Sequence, residues 1–303
     1  MSEADLAIQV DGLRMRYGTV DVLDGVRFDV RTGEVLALLG PNGAGKTTTI
    51  EILEGFRMRS SGTVSVLGVD PAHADERWRA RVGIVVQSWR DHAKWRVGEL
   101  LAYQGSYYAP YSSHAIPRPW PVADLLDAVG LADRADVPVG RLSGGQRRRL
   151  DVAIGLVGRP ELLLLDEPTT GFDPQARHEF HELIRAATTR FNTTVLLTTH
   201  DLSEAEQLAD RVAILARGSI IAAGTPGELA SQFAGLDEVR WTENGTSFRR
   251  DVADSTGLVR ELFGRKGEAI RDLEVHRASL ETTYLALMHE VEAEQRAERT
   301  AAA

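Results

Sequence analysis

A glycine-rich turn between an apolar run and a helical stretch constrains this chain more than any other feature. The run EVLALLG (34–40) is short, apolar and ends in glycine, which is typical of a buried strand that leads into a turn. GPNGAGKTT (40–48) follows, and behind it Ile50 and Leu53 fall on one helical face. Glycines let successive N–H groups point at phosphate oxygens, and the next helix adds its positive N-terminal end. The pattern therefore predicts a phosphate loop at the carboxyl end of a strand.

The loop has the spacing G-x-x-x-x-G-K-[ST], in which the last two residues have defined uses. Lys46 can reach the β- and γ-phosphates of a nucleotide, and the Thr47 hydroxyl can bind Mg²⁺. The alternative is a glycine-rich turn without a ligand, but lysine and threonine in this register have little structural purpose. The predicted nucleotide-binding residues of the loop are Gly40, Pro41, Asn42, Gly43, Ala44, Gly45, Lys46, Thr47 and Thr48.

Three further apolar runs have the length of buried strands, at 161–168, 193–200 and 211–218. They alternate with helical stretches, which predicts an α/β core with a mainly parallel sheet. Ligands of such sheets lie at the carboxyl ends of the strands. The polar residues that end these runs are therefore candidate site residues.

Asp166 and Glu167 end the first of these runs. A buried carboxylate needs a partner, and Mg²⁺ held near Thr47 is the natural partner for Asp166. Neighbouring side chains on a strand point in different directions, so Glu167 is predicted to have a separate, catalytic role in polarising the attacking water. The alternative is a structural pair of capping carboxylates.

His200 ends the second run, and Gln87 follows another strand-like run at 81–86. His200 is predicted to be catalytic and to sense the γ-phosphate by hydrogen bonding. A single histidine at a strand end is more often structural, but here the other candidates converge on the same edge. The Gln87 amide could touch Mg²⁺ or the attacking water, and by itself it is a weak signal.

The stretch RLSGGQRRRLD (141–151) is a second candidate anion site. Ser143 is a predicted N-cap for the helix behind it, and Gly144 and Gly145 leave their N–H groups open to approach. Three arginines in the first turns oppose the helix dipole, which prefers anions there. The residues alone leave two hypotheses open, a helix end that meets a negative ligand or a solvated basic face paired with local carboxylates.

Composition narrows the function classes. The net charge of −9 argues against a dedicated nucleic-acid binder, and the absence of cysteine excludes disulfides and thiolate chemistry. The start MSEADLAIQV lacks the features of a signal peptide, and no run approaches the roughly 18 apolar residues of a spanning helix. A membrane part, if one is needed, is expected in another chain.

GPNGAGKTT, LSGGQ, LLLLDEP, Gln87 and TTHD occur in the order and spacing of ABC-transporter ATPase subunits, which the chain resembles over about 6–225. The resemblance implies an α/β P-loop NTPase fold with a mainly parallel sheet, an N-terminal antiparallel β part and a helical insertion at about 89–157. The region 226–290 is similar, more loosely, to the C-terminal α+β extension of the daunorubicin-resistance group of drug exporters. The tail 291–303 is predicted to be disordered.

Within 226–290, Asn244-Gly245 interrupts an alternating stretch and predicts a hairpin turn.

In ABC ATPases each nucleotide lies between the phosphate loop of one subunit and the LSGGQ of the other. The resemblance implies that ATP, with Mg²⁺, joins two copies into a head-to-tail dimer that hydrolysis releases. Tyr17 matches the aromatic residue that stacks on adenine, and Asp173 matches the aspartate at the dimer seam. The residues that the second subunit is expected to contribute are Ser143, Gly144, Gly145 and Gln146.

The resemblance implies an ATP hydrolase that powers export of a drug, antibiotic or lipid-like cargo. It would act through a separate integral-membrane permease, peripherally at the cytoplasmic face of the cell membrane. An importer ATPase is an alternative, because the catalytic core does not encode direction. A soluble ABC protein acting on ribosomes or DNA is disfavoured by the single cassette, the lack of a heptad run and the acidic net charge, and no nucleic-acid partner is expected.

Aromatic residues concentrate in the helical insertion, where seven of the 11 Trp and Tyr residues lie. Aromatic side chains are favoured at interface cores. The hypothesis is that 89–95 lines a groove for a cytoplasmic helix of the permease, and the alternative is packing within the insertion. The seven residues are Trp89, Trp95, Tyr103, Tyr107, Tyr108, Tyr111 and Trp120.

Overall fold

The computed structural model describes residues 6–85, 92–233, 237–252, 254–276 and 279–301. The chain divides into two compact units, Met1–Ile221 and Ala222–Ala303. Gln87 and Trp89, which the sequence analysis singled out, lie outside the described residues.

Two sheets form the strand framework up to residue 224. The strands are β1 (Leu6–Tyr17), β2 (Val20–Arg31), β3 (Val35–Leu39), β4 (Ser61–Val66), β5 (Val82–Val85), β6 (Leu162–Asp166), β7 (Thr194–Thr199), β8 (Arg211–Ala216) and β9 (Ser219–Gly224). One sheet has the order β2–β1–β4 with antiparallel pairs, and the other has the order β5–β6–β7–β3–β8–β9. The pairs β5–β6, β6–β7, β7–β3 and β3–β8 are all parallel.

Helices connect the strands of the larger sheet. They are α1 (Lys46–Leu53), α2 (Glu76–Arg79), α3 (Val97–Ser106), α4 (Val122–Ala128), α5 (Gly144–Leu156), α6 (Pro174–Phe191) and α7 (Leu202–Leu208). α3 packs on α4 and on α5. These three helices fall within the stretch where a helical insertion was expected.

The strands that carry the site are buried on both faces. Every residue of β3 and of β7 is buried, and so are the first four residues of β6. Leu36, Leu164 and Leu196 meet in one apolar cluster. Double burial explains why these strands read as continuous apolar runs. Since β6, β7 and β3 are parallel neighbours, the residues that follow them meet at one carboxyl edge of the sheet.

The smaller unit has strands β10 (Asp237–Glu243), β11 (Thr246–Val252) and β12 (Ile270–His276) and helices α8 (Pro226–Phe233), α9 (Ser255–Lys266) and α10 (Leu280–Ala301). Its sheet is antiparallel in the order β11–β10–β12. Asn244 and Gly245 form the predicted two-residue turn, with φ of 49° and 79°. Positive φ at both positions is the geometry that favours Asn-Gly.

The tail differs from the expectation. α10 continues to Ala301, so the backbone of 291–301 is helical where a disordered segment was expected. The stretch is rich in Ala, Glu, Gln and Arg and contains neither Gly nor Pro, so helix propensity extends the helix. Among the residues described, no helix combines the length and the apolar composition needed to cross a membrane.

Candidate functional site

The phosphate loop lies between β3 and α1, at the centre of the carboxyl edge. Gly45 is the N-cap of α1 with a φ of 106°, and a Cβ there would lie 2.5 Å from the Leu23 side chain. A Cβ on Gly40 would lie 2.3 Å from the Leu215 carbonyl oxygen. Both positions therefore require glycine, one for its conformation and one for the close approach of two backbones.

Lys46 is held at the middle of this loop. Its side chain is 5% exposed, and Nζ donates to the carbonyl oxygens of Gly40 at 2.8 Å and Pro41 at 3.2 Å. Nζ also lies 3.2 Å from Oε1 of Glu167. These contacts compensate the burial of the ammonium group and keep it among the backbone groups that would surround a phosphate.

Glu167 follows β6 in a left-handed backbone conformation with a φ of 45°. Its N–H donates to the Thr198 carbonyl and hydroxyl oxygens, at 3.2 and 3.0 Å. The turn brings Oε1 towards Lys46 and Oε2 to 3.4 Å from Nδ1 of His200. Such backbone strain in a non-glycine residue persists only where surrounding contacts enforce it, and it is common at functional sites.

The charges around Glu167 keep its carboxyl ionised. Burial alone would raise the pKa of Glu167, but the hydrogen bond and the charge of Lys46, with His200 beside it, hold that pKa below its ordinary value. A carboxylate that stays ionised at neutral pH can accept a proton. His200 is half exposed, with 51% of its side chain accessible, so it can reach a bound molecule.

Thr198 organises the carboxylate pair, and sequence reasoning missed it. This fully buried residue of β7 donates from Oγ1 to Oδ1 of Asp166 at 2.5 Å while it accepts from the Glu167 N–H. One side chain therefore positions both acidic residues. A threonine near the carboxyl end of a buried strand was the available signal.

A magnesium ion fits the oxygen donors at this edge. Thr47 presents an exposed hydroxyl, and Asp166 has a second carboxylate oxygen beside the one that Thr198 holds. Mg²⁺ is usually bound through one or two such oxygens together with substrate phosphates and water. Thr48, the last predicted residue of the loop, is half-buried behind Thr47.

The LSGGQ segment (142–146) forms the start of α5. Ser143 is the N-cap, as predicted: Oγ accepts from the Gln146 N–H at 3.3 Å, and the Gln146 side chain accepts from the Ser143 N–H at 3.1 Å. Ser143 and Gly144 are exposed. The first N–H groups of the helix have no partner within it, so this end of α5 can receive an anion.

The three arginines that follow the LSGGQ segment lie near carboxylates of their own chain. Arg147 Nε lies 3.5 Å from Asp151, and Arg148 Nη1 lies 3.7 Å from it. Arg149 forms an ion pair with Glu179 of α6. For the arginines, the structure favours local pairing with carboxylates over a ligand. An anion at this helix end would meet Ser143 and the glycine N–H groups instead.

A cleft of about 840 Å³ separates the LSGGQ segment from the start of α6. Its lining includes Ser143, Gly144, Gly145 and Gln146, the three arginines behind them, and Asp173. Asp173 is exposed and accepts from the Ala176 N–H at 2.8 Å as the N-cap of α6. Residues 40–48 are not among those that line this cleft. The structure thus places the predicted residues in two groups, one at the carboxyl edge and one here.

Tyr17 ends β1 with 40% of its surface exposed. The Arg57 guanidinium lies 5.2 Å from the centroid of its ring, within cation–π range. Glu51 holds Arg57 in turn, at 2.5 Å. The ring is therefore fixed in orientation and accessible, as stacking on a base requires.

Comparison with known proteins identifies the family of this chain. The family model described as ABC transporter matches residues 23–170. A relative from Ralstonia nicotianae, called Nod factor export ATP-binding protein I, is 45% identical over 233 residues, which cover 77% of this chain and 71% of the relative. The chain belongs to the ABC transporter family. A relative of the same name from Burkholderia lata is 41% identical over 85% of this ABC ATPase and 83% of its own length.

Solved structures agree with this assignment. A chain described as the ATP-binding subunit of an ABC transporter superposes with a TM-score of 0.64 at 28% identity, covering 75% of this chain and 92% of the other. A dimeric bacterial ABC transporter cassette has the same fold, with a TM-score of 0.61 at 21% identity over 72% and 98% of the two chains. The predicted family, the predicted fold and ATP hydrolysis are thereby confirmed.

Glu54 gives this ABC ATPase a pH-dependent stability. It caps the C-terminal end of α1, where the helix dipole disfavours an anion. Burial, with the charges of Asp166 and Glu51, raises its pKa from 4.5 to about 7. A carboxyl whose pKa is raised by folding contributes stability below its unfolded pKa and loses it as pH rises through the folded value.

We expect Glu54→Gln to stabilise the fold by about 1–3 kcal/mol at pH 8 and to have little effect at pH 5. Urea unfolding without nucleotide at both pH values measures this. Glu182→Gln is the control, since Glu182 is an exposed carboxylate of α6 that contacts Arg185. An equal effect of Glu54→Gln at the two pH values would contradict the assignment.

Proposed function

We propose that this chain is the ATPase subunit of a membrane exporter, in which two copies close head to tail on ATP and separate after hydrolysis. One observation carries the proposal: the chain presents two surfaces suited to phosphate, and residues 40–48 of the first do not line the cleft at the second. The first is the carboxyl edge with Lys46 and Glu167, and the second is the exposed start of α5 at Ser143. Two such surfaces have a common use when the nucleotide of one copy lies against the helix end of the other.

Each residue of the first surface has a defined task. The loop N–H groups and Lys46 bind the β- and γ-phosphates, and Tyr17 stacks on adenine. Thr47 and Asp166 would hold Mg²⁺, which supplies positive charge to the phosphate oxygens when bound. Glu167 orients the water and accepts its proton, while the new P–O bond forms and the bond to the β-phosphate bridging oxygen breaks. His200 hydrogen-bonds the γ-phosphate.

ATP itself would activate Glu167. Lys46 now divides its contacts between loop carbonyls and Oε1 of Glu167. Phosphate oxygens compete for the same ammonium group, and each contact that Glu167 loses allows its pKa to return towards the ordinary value. A base whose pKa is closer to the operating pH is the better proton acceptor. The Lys46–Glu167 ion pair thus keeps Glu167 a weak base until nucleotide binds.

The second surface acts on the partner's nucleotide. Ser143 Oγ accepts the capping hydrogen bond, so its O–H can donate to a γ-phosphate oxygen beside the N–H groups of Gly144 and Gly145. Gln146 holds the cap closed, and Asp173 faces the seam. When the γ-phosphate leaves, these donors lose their ligand and the two copies separate.

The contact with the membrane subunit is assigned to an aromatic cluster made of His92, Trp95, Tyr103 and Tyr107. Successive ring centroids lie 5.4, 5.1 and 5.3 Å apart. Tyr103 and Tyr107 are 42% and 54% exposed. A row of aromatic rings that is exposed at Tyr103 and Tyr107 is the kind of surface that becomes an interface core. The export names of the relatives support export as the direction of transport. Binding to the permease would place this chain at the cytoplasmic face of the membrane.

Co-expression with a candidate permease, an integral-membrane protein taken from a neighbouring gene, tests the proposal. We expect the wild-type pair to co-purify, and inside-out vesicles holding the pair to take up cargo when ATP is added outside. Trp95→Ala and Tyr107→Ala should weaken the pair at least about tenfold, because exposed aromatics carry much of an interface's energy, with ATP binding unchanged.

Tyr111→Ala, an aromatic change in the same insertion but outside the cluster, is the control and should leave the pair intact. Co-purification that is unchanged in Trp95→Ala and Tyr107→Ala would remove the cluster from the interface. ATP-driven movement in the opposite direction would show an importer.

A further inference from the structure

The arginines behind the LSGGQ segment line the cleft beside Ser143 and contact groups of their own chain, which raises the question of what they do. We propose that Arg148 is a positioning residue that ties α5 to the peptide segment following Glu167. Through it, the contact of Ser143 with the partner's nucleotide is coupled to the placement of the Glu167 carboxylate in the same chain. This inference rests on the proposed head-to-tail dimer.

The link is short and buried. Arg148 is 7% exposed, and its Nε donates to the carbonyl oxygen of Pro168 at 2.7 Å. Pro168 directly follows Glu167, so this carbonyl belongs to the backbone that sets the direction of the Glu167 side chain. Hydrogen bonds from a charged donor are about twice as strong as neutral ones. A shift of α5 would therefore pull on the segment that carries the general base.

Arg148 uses both arms of its guanidinium. While Nε holds Pro168, Nη1 lies 3.7 Å from Asp151 on the same helix. Burial lowers the pKa of the Arg148 guanidinium and raises that of the Asp151 carboxyl, so both groups are buried at a cost. An apolar pair could fill the space without that cost. The planar guanidinium of arginine is longer and spreads its donors over a rigid fork, whereas a lysine presents one compact ammonium group.

Arg149 adds a second link in the same direction. It forms an ion pair with Glu179 of α6 and donates from Nη1 to the Gly130 carbonyl at 3.2 Å. Asp173 caps the start of α6 and lines the same cleft as Ser143. α5 is thus connected at two points, Pro168 and Glu179, to the chain that follows Glu167, and Arg148 makes the contact nearer to the base.

Steady-state ATP hydrolysis by the full chain tests this inference. Arg148→Met should lower kcat about tenfold with KM for ATP changed less than about threefold, because small misplacements of a catalytic group cost rate rather than binding. Arg148→Lys should give an intermediate kcat, since it keeps the positive charge but replaces the fork that reaches Pro168 by a shorter, compact ammonium group. Arg147→Met, which removes a neighbouring charge from Asp151 and leaves the Pro168 contact, should keep kcat within about twofold.

Thermal unfolding separates a positioning role from a loss of fold. Arg148→Lys keeps the charge beside Asp151, so its melting temperature is expected to lie near that of the wild type. If the methionine variant does not fold, the kcat of Arg148→Lys tests the positioning role. A wild-type kcat in a folded Arg148 variant, or an equal loss in Arg147→Met, overturns the inference. A wild-type chain that hydrolyses ATP without forming a dimer would instead overturn the proposed function.

Discussion

Glu167→Gln is expected to lower kcat for ATP hydrolysis by about 10²–10⁴, the range associated with loss of a general base. The amide keeps the shape of the side chain and cannot accept the proton of water. Lys46 keeps its hydrogen bonds to the carbonyls of Gly40 and Pro41, so the phosphate loop should remain formed and ATP should still bind. Because the γ-phosphate is then not removed, the ATP-bound dimer should accumulate.

Size-exclusion chromatography with ATP and Mg²⁺, together with phosphate release, measures both effects. Glu182→Gln is a suitable control, because Glu182 is an exposed carboxylate of α6 that contacts Arg185. It should hydrolyse ATP like the wild type. Normal hydrolysis by Glu167→Gln would show that another group is the base.

Ser143→Arg and Gly145→Asp should abolish ATP-driven dimerisation and lower hydrolysis at least about a hundredfold, as expected when transition-state donors are lost. ATP binding to the single chain should change less than about threefold, because the LSGGQ segment does not line the phosphate loop. Space is available for the change: a Cβ on Gly145 would lie 3.8 Å from the nearest atom, the Ala176 Cβ. The aspartate then faces the partner's phosphates with a like charge.

Ser143→Thr is the matched control, since threonine keeps both the capping oxygen and the donor. A complementation experiment makes the test stricter. Lys46→Ala and Ser143→Arg are each expected to be inactive. When the two are mixed, a head-to-tail dimer can combine the intact phosphate loop of one chain with the intact LSGGQ segment of the other. Recovery of hydrolysis supports the composite site, and a Ser143→Arg monomer that hydrolyses normally contradicts it.

The elements that hold the site were predictable because their signals are local. The apolar runs of β3, β6 and β7 and the spacing of the phosphate loop predicted where polar residues would meet. The Ser143 cap and the Asn244-Gly245 turn were predictable for the same reason, since a few neighbouring residues determine them.

Contacts between distant residues were not predictable from those patterns. Thr198 lies 32 positions from Asp166 and Arg148 lies 20 positions from Pro168, and each pair is brought together by packing. The sequence predicted that the side chains of Asp166 and Glu167 point in different directions. It did not predict the left-handed backbone at Glu167, which brings that carboxylate to Lys46 and His200.

The sequence by itself therefore determined the family, the fold and which polar residues meet at the carboxyl edge, because periodicity and loop motifs act over a few residues. Tertiary structure alone decided that the arginines behind the LSGGQ segment pair within their own chain, with Asp151 and Glu179. The same charges could have faced a ligand or their own chain, and only the position of carboxylates on neighbouring turns and helices distinguishes the two. A buried charged side chain pairs with an oppositely charged or hydrogen-bonding group within reach, and the packing of the helices decides which group that is.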